Sequence, residues 1–323
     1  MTYNILSNTS FAGAIFFSFA VSMLTFLTRE DIKRAYKSFS LLYAWLLLPG
    51  CIIWIIHVLT GDNQLFSLGR IEPEIIPNQL KVDAGEGYIK YPFMVVLDYM
   101  LALPVYRFMG PFDEPGVLGT ISALLLSADK LNLNKKSNKI IFFSGLISLS
   151  LAFYVLISLY FILAMVLKLN RRNILFIILA VLSFFILSMN DTFQQLILSR
   201  MSSSGDNRSS TSLTDAFYFW VQNDNIHIFL FGIRDYIFDG SSSWMTIPIH
   251  TGAIGVLSLC LIYVLAWLRY SNFFDKVRSH NVFIFLLVFI SSIYQRPDIA
   301  KAIFMFIFIY GVQNHRSSYT ELN

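Results

Sequence analysis

Apolar positions along the chain gather in nine blocks, near residues 11–27, 39–59, 117–127, 140–152, 153–168, 173–189, 247–268, 281–294 and 299–313, with polar stretches between them. Blocks of this kind predict helices solvated by a bilayer, whose hydrocarbon core takes roughly 18–20 apolar residues to cross at right angles. Several blocks are shorter, so their boundaries are soft. The stretch 140–168 reads either as one long tilted helix or as two short ones breaking near Ser148 and Ser150. Two are preferred, because Lys135, Lys136 and Lys139 precede it, Lys168, Arg171 and Arg172 follow it, and basic residues collect on the cytoplasmic side. The first block is followed by Thr-Arg-Glu-Asp-Ile-Lys, without a small-residue cleavage site, and is expected to stay in the mature chain.

With nine spans, the segments 28–38, 128–139, 168–172, 269–280 and the C-terminal tail share one side and hold 15 Lys or Arg against five acids. The other side holds nine basic residues and fifteen acids, so the first set is expected to be cytoplasmic. Composition agrees: of 323 residues, 56% are apolar and 14% charged, which excludes an ordinary soluble domain. The expected architecture is an all-α polytopic membrane protein, a single integral membrane domain over 1–323 with about nine or more transmembrane helices. Two large non-cytoplasmic loops, 60–116 and 190–246, separate groups of spans. Within the first, residues 93–106 are apolar but short, carry Asp98 and end near a proline, which predicts an interfacial or re-entrant segment. In the second, 202–213 reads as a flexible polar loop and 215–222 as an aromatic, amphipathic helix.

The net charge of +4 is scattered among apolar segments, so nucleic acid is not expected as a partner. Cys51 and Cys260 lie inside apolar runs and read as inert packed thiols. The spans are poor in charge, with Lys301 the exception, whereas a transporter lines its path with polar groups near the midplane. Chemistry is therefore expected at the outer boundary of membrane and water.

Six of the nine outer basic residues are arginine, whose planar fork binds phosphate in a bidentate way that an ammonium cannot. The densest local pattern is Arg107-Phe-Met-Gly-Pro-Phe-Asp-Glu-Pro-Gly-Val-Leu-Gly119, in which two prolines and three glycines lead into a membrane helix. It could hold Arg107, Asp113 and Glu114 together as a cation and a general base at a helix mouth. Equally, it reads as a helix-entry turn in which Glu114 offsets the helix dipole and pairs with Arg107.

This motif resembles the periplasmic motif of bacterial O-antigen polymerases (Wzy type) and the related O-antigen ligases. Leu198-Ser-Arg200 through Gly205-Asp-Asn-Arg208, with Phe217, Trp220 and Phe231-Gly232, is similar to the family's second large loop. Asp239-Gly-Ser-Ser-Ser243 and His250-Thr-Gly-Ala-Ile-Gly255 resemble the segment that closes it. The resemblance implies a GT-C-like, metal-independent, inverting glycosyltransferase in the bacterial inner membrane, with its active site facing the periplasm and 60–116 and 190–246 as periplasmic loops. It implies no cofactor, undecaprenyl-diphosphate-linked oligosaccharides as donor and acceptor, and a chain-length regulator protein as a further partner. Arg107, Arg200 and Arg208 would hold the diphosphate, and Glu114, Asp239 or His250 would take the acceptor's proton. The chain has no Asp-x-Asp and no His-x-x-x-His or cysteine pair of metal-ligand spacing. Ligases generally carry a histidine well before the Gly-x-x-Gly turn, where this chain has Asp239 and serines, so polymerase is favoured over ligase, although His250, two residues before Gly252, could act in that histidine's place; a flippase for lipid-linked oligosaccharide is the non-enzymatic rival. A lone histidine such as His250 at a helix entrance is more often a hydrogen-bonded interfacial residue than a catalyst.

Overall fold

Pro115 stands at the first position of a helix whose entry residue, Glu114, is extended at φ −144°, ψ 142°. Proline's fixed φ and missing N–H suit that position. The helix, α2 (Pro115–Ala128), has twelve of its fourteen residues buried and is the axis around which the other elements pack. The computed structural model describes residues 27–60, 67–69, 86–92, 94–99, 105–112, 114–166, 211–233, 243–271, 279–295, 299 and 301–316. Within them, α1 (Arg29–Thr60) precedes strands β1 (Glu86–Tyr91), β2 (Met94–Tyr99) and β3 (Val105–Gly110). After α2 come α3 (Lys136–Ile147), α4 (Leu151–Val166), α5 (Thr211–Gln222), α6 (Ile226–Phe231), α7 (Thr246–Ser271), α8 (Ser279–Gln295) and α9 (Ala302–Arg316).

The described chain is thus mostly helical, and seven of the nine predicted apolar blocks become helices. The blocks 11–27 and 173–189 lie outside the described residues. The described part of 140–168 is two helices: α3 ends at Ile147 with Ser148 as its cap, Leu149 takes φ 47°, and α4 begins at Leu151. Two helices, α1 and the Thr246–Tyr270 part of α7, are long and apolar enough to cross a membrane, each with a mean hydropathy of 2.1 in its most apolar stretch. Four shorter apolar helices accompany them. Beyond the charged first turns of α1, both long helices are apolar on their exposed faces as well as their buried ones. On α1, Leu42, Trp45 and Leu59 stand exposed opposite buried Tyr43, Leu47 and Cys51; on α7, Leu257, Leu261 and Leu265 are exposed.

Of residues 93–106, read as an interfacial or re-entrant segment, those described form strands, so the described fold is not all-α. Met94–Tyr99 and Val105–Gly110 pair with Glu86–Tyr91 in an antiparallel sheet of order β1-β2-β3, with a register shift at Val95/Val96. A short apolar run such as Met94-Val-Val-Leu97 cannot be told from a buried helical segment by periodicity alone. On one face Ile89, Tyr91, Met94, Val96 and Phe108 pack over the end of α1. The close approach occurs at Gly50, where a Cβ would stand 3.0 Å from the Phe108 ring and 3.3 Å from Met94 Cβ.

The main core joins α1, the sheet, α2, α3, α4, α8, α9 and the second half of α7. A smaller cluster of Leu213, Ala216, Trp220 and Ile249 binds α5 and α6 to the start of α7. There α7 is broken at Gly252, whose φ of 65° and ψ of −177° interrupt the helix.

In the main core, Gly119 of α2 meets Ser150 so closely that a Cβ would overlap the serine side chain. Gly119→Ala is expected to cost about 1–3 kcal/mol, the usual range for overpacking. Its apparent melting temperature in detergent should fall, and adding Ser150→Gly should restore part of the loss; equal melting of Gly119→Ala and wild type would show that this contact yields.

Candidate functional site

Arg107 lies on β3 opposite Leu97, three residues before the turn at Gly110. Gly110 adopts φ 60°, and a Cβ there would come to 3.1 Å from Leu47 Cδ2. That turn, Pro111 and Phe112 carry the chain into Glu114 and α2, so Arg107 and Glu114 belong to one strand–turn–helix unit at the same end of α2. The guanidinium of Arg107 reaches across to the end of α3, where Nε donates to Ser148 O at 3.3 Å and Nη2 to Leu149 O at 3.2 Å. Carbonyl oxygens at a helix C-terminus carry partial negative charge and lack intrahelical partners, so a guanidinium is well matched to them. Tyr154 Oη completes the same end by donating to Leu146 O at 2.8 Å. Arg107 is buried at 9% exposure, so its charge is fixed in place rather than swinging in solvent.

Glu114 sits at the entrance of α2 with an extended backbone and intermediate exposure, and its carboxylate makes no capping bond to the first-turn amides. The carbonyl of Glu114 accepts from Val117 N at 3.2 Å. Behind β3, His57 Nδ1 and Tyr91 Oη are 2.6 Å apart, the His57 ring meets Tyr106 edge to face at 4.3 Å, and Trp54 Nε1 donates to Tyr106 O at 3.3 Å. These contacts fasten β1 and β3 to the last turns of α1 and so set the position of Arg107.

His250 stands apart from this unit. It lies in the short helical stretch before the break at Gly252, beside the backbone of Ile233, in the cluster formed by α5, α6 and α7. Arg200, Arg208 and Asp239 lie outside the described residues. Among the described residues, no three His, Cys, Asp or Glu side chains come together as a metal-holding group.

The other end of α2 holds a polar cluster that sequence reasoning missed. Asp129, 5% exposed, accepts from Lys135 Nζ on both oxygens at 2.8 Å, from Asn138 Nδ2 at 2.6 Å and from Tyr310 Oη at 3.1 Å. Tyr36 Oη donates to Leu125 O at 2.6 Å and its ring stacks on Tyr310. Asn314 Nδ2 donates to Ala128 O at 2.9 Å, and His315 Nε2 lies 2.8 Å from Ser127 O. Asp129 looked like one of a few acids in a basic loop, and nothing in its neighbourhood announces partners 181 residues away.

No family model, curated protein or solved structure matches the chain. Asp129→Ala removes the common acceptor of three donors, two of them from other elements, and is expected to cost more than Lys135→Ala, because Lys135 is half exposed and is rehydrated. Thermal unfolding followed by tryptophan fluorescence in detergent should show that order; a larger drop for Lys135→Ala would contradict it.

Proposed function

We propose that the chain is an O-antigen polymerase, a polytopic glycosyltransferase of the inner membrane that joins undecaprenyl-diphosphate-linked oligosaccharide repeat units at the periplasmic face. The observation that carries this reading is the strand–turn–helix unit of Arg107 and Glu114. The motif that resembles the family spans β3 and the start of α2, with Arg107 buried on the strand, its guanidinium at the α3–α4 turn, and Glu114 at the helix entrance.

The membrane part of the reading is supported by exposed faces as apolar as buried ones, which lipid solvates and water does not. It is also supported by which ends meet. Gln313 Nε2 donates to Arg29 O at 2.8 Å, and Asn314 reaches Ala128 O. Segments near 28–38, 128–139 and the C-terminal tail, grouped on one side by charge bias alone, are thus neighbours in space. At about 1.5 Å per residue, the 14-residue α2 is about 21 Å long, short of a hydrocarbon core of about 30 Å. A helix enclosed by protein can be short where protein groups satisfy its ends, as Tyr36, Asn314 and His315 do at the C-terminal end of α2.

In the proposed reaction a hydroxyl of the acceptor repeat unit attacks the anomeric carbon of the donor. The bond from that carbon to the diphosphate oxygen breaks, and undecaprenyl diphosphate leaves. Charge grows on the departing oxygen, and Arg107, Arg200 and Arg208 are the residues assigned to stabilise it. The two carbonyl contacts orient the Arg107 guanidinium. The acceptor's proton passes to Glu114, Asp239 or His250. Direct attack inverts the anomeric centre. The specific rival for Arg107 is that it serves only as the cap of α3.

Lipopolysaccharide banding in a deletion strain of the host, complemented at matched membrane levels, tests the reading. Arg107→Lys and Arg208→Lys are expected to lose the ladder while keeping membrane abundance and one repeat unit on the lipid A core. A ladder that fades only as Arg107→Lys abundance falls assigns Arg107 to capping alone, and normal ladders in both variants remove the diphosphate clamp. Loss of even the single unit on deletion points to ligase or flippase.

A further inference from the structure

The two helices α5 and α6 form a hairpin closed by the stacking of Trp220 on Phe229, at 5.2 Å between centroids, and by donation from Trp220 Nε1 to Phe229 O at 3.2 Å. Its inward residues build the smaller apolar cluster, yet its outward surface is also apolar. Tyr218, Phe219, Val221, Ile226, Phe229 and Phe231 all stand exposed, Ile226 at 72%. A water-facing hairpin rarely carries so many large apolar groups within so few residues.

The hairpin is spliced to α7 through backbone. Ile233 N donates to Ile249 O at 2.6 Å, and Gly232, at φ 80°, lies against the chain around Gly252. A Cβ on Gly252 would overlap the carbonyl oxygen of Leu230. Immediately after this joint the exposed apolar stripe of α7 begins at Ile254 and continues through Leu257, Leu261, Leu265 and Leu268. The aromatic surface of the hairpin is therefore continuous with the face of a helix long enough to cross a membrane, at the end where that helix would enter.

We propose that the α5–α6 hairpin lies in the lipid headgroup layer of the bilayer that α7 crosses, with its aromatic side chains at the boundary with the acyl chains. Amphipathic rings favour that depth, and a helix pair with one apolar surface and a polar connection lies in the interface rather than across it. The connection is polar here: Asn223, Asp224 and Asn225 form the turn, with Asn223 Oδ1 accepting from Asn225 N at 2.8 Å and Asn225 Oδ1 from His227 N at 3.0 Å. Residues 211–233 contain no Lys or Arg, so the attachment is apolar and does not require anionic lipid. This inference rests on the reading of α7 as a membrane span.

Spin-label accessibility in full-length protein, reconstituted in discs of phosphatidylcholine alone, separates the two ideas. Cys260 is exposed on α7, whereas Cys51 is buried with its sulfur 3.1 Å from Ser144 Oγ, a contact that Cys51→Ser keeps. In Cys51→Ser protein the label on Cys260 reports on the span; with Cys260→Ala added, single cysteines at Phe219, Phe231 and Asp224 report on the hairpin. Labels at 260, 219 and 231 are expected to collide several-fold more with oxygen than with a water-soluble nickel chelate, relative to the label at 224, with 219 and 231 shallower than 260. A lipid-exposed 260 with water-exposed 219 and 231 overturns the hairpin's placement while leaving the span intact. A water-exposed 260 overturns both.

Discussion

A helix enclosed on every side by protein must have its terminal backbone groups met by other parts of the chain, and α2 imposes this requirement on the whole fold. Its last turn ends in a Schellman arrangement, in which Lys130 N returns to Ser127 O at 3.1 Å and Leu131 N to Leu126 O at 2.8 Å. Lys130 and Leu131 reach it at φ 58° and 51°, a conformation that disfavours side chains with a Cβ. The carbonyls of Leu125, Ser127 and Ala128 are met by Tyr36, His315 and Asn314. Helices from opposite ends of the described chain are therefore brought together to complete one helix terminus, and Asp129 gathers the remaining donors.

The same requirement is solved differently one turn of chain later. At the end of α3 the carbonyl acceptors are satisfied by Arg107 and Tyr154, the first from the sheet and the second from the following helix. Arg107 thus couples the placement of the sheet to the α3–α4 turn. If it also contributes to the proposed chemistry, structural anchoring and charge placement reside in one side chain, and abundance and activity have to be read together when it is changed.

The helices were legible in the sequence because long apolar blocks carry their own signal. Even the division of 140–168 followed from flanking lysines and arginines together with Ser148 and Ser150. The sheet was not legible: Met94–Tyr99 is apolar without clear alternation, and its identity depends on pairing with strands on either side. Of the candidate site residues, the structure describes Arg107, Glu114 and His250. Arg107 and Glu114 share a motif and share a place, but the bonds from Arg107 to residues 41 and 42 positions ahead are not written in local spacing. Asp129 was less legible still, since its significance lies in Tyr310 and in the helix terminus around it.

The long separation between α2 and the residues that complete it has a consequence for synthesis. Tyr310 follows Asp129 by 181 residues and His315 follows Ser127 by 188, so at about 5–20 residues per second these partners emerge some 10–40 s after the helix they finish. During that interval Lys135 and Asn138, 6 and 9 residues after Asp129, already meet its carboxylate, whereas the carbonyls of Ser127 and Ala128 await His315 and Asn314. Completion of α9 is then the event that gives Ser127, Ala128 and Asp129 their last partners, so the order of synthesis leaves the terminus of α2 until near the end of the described chain.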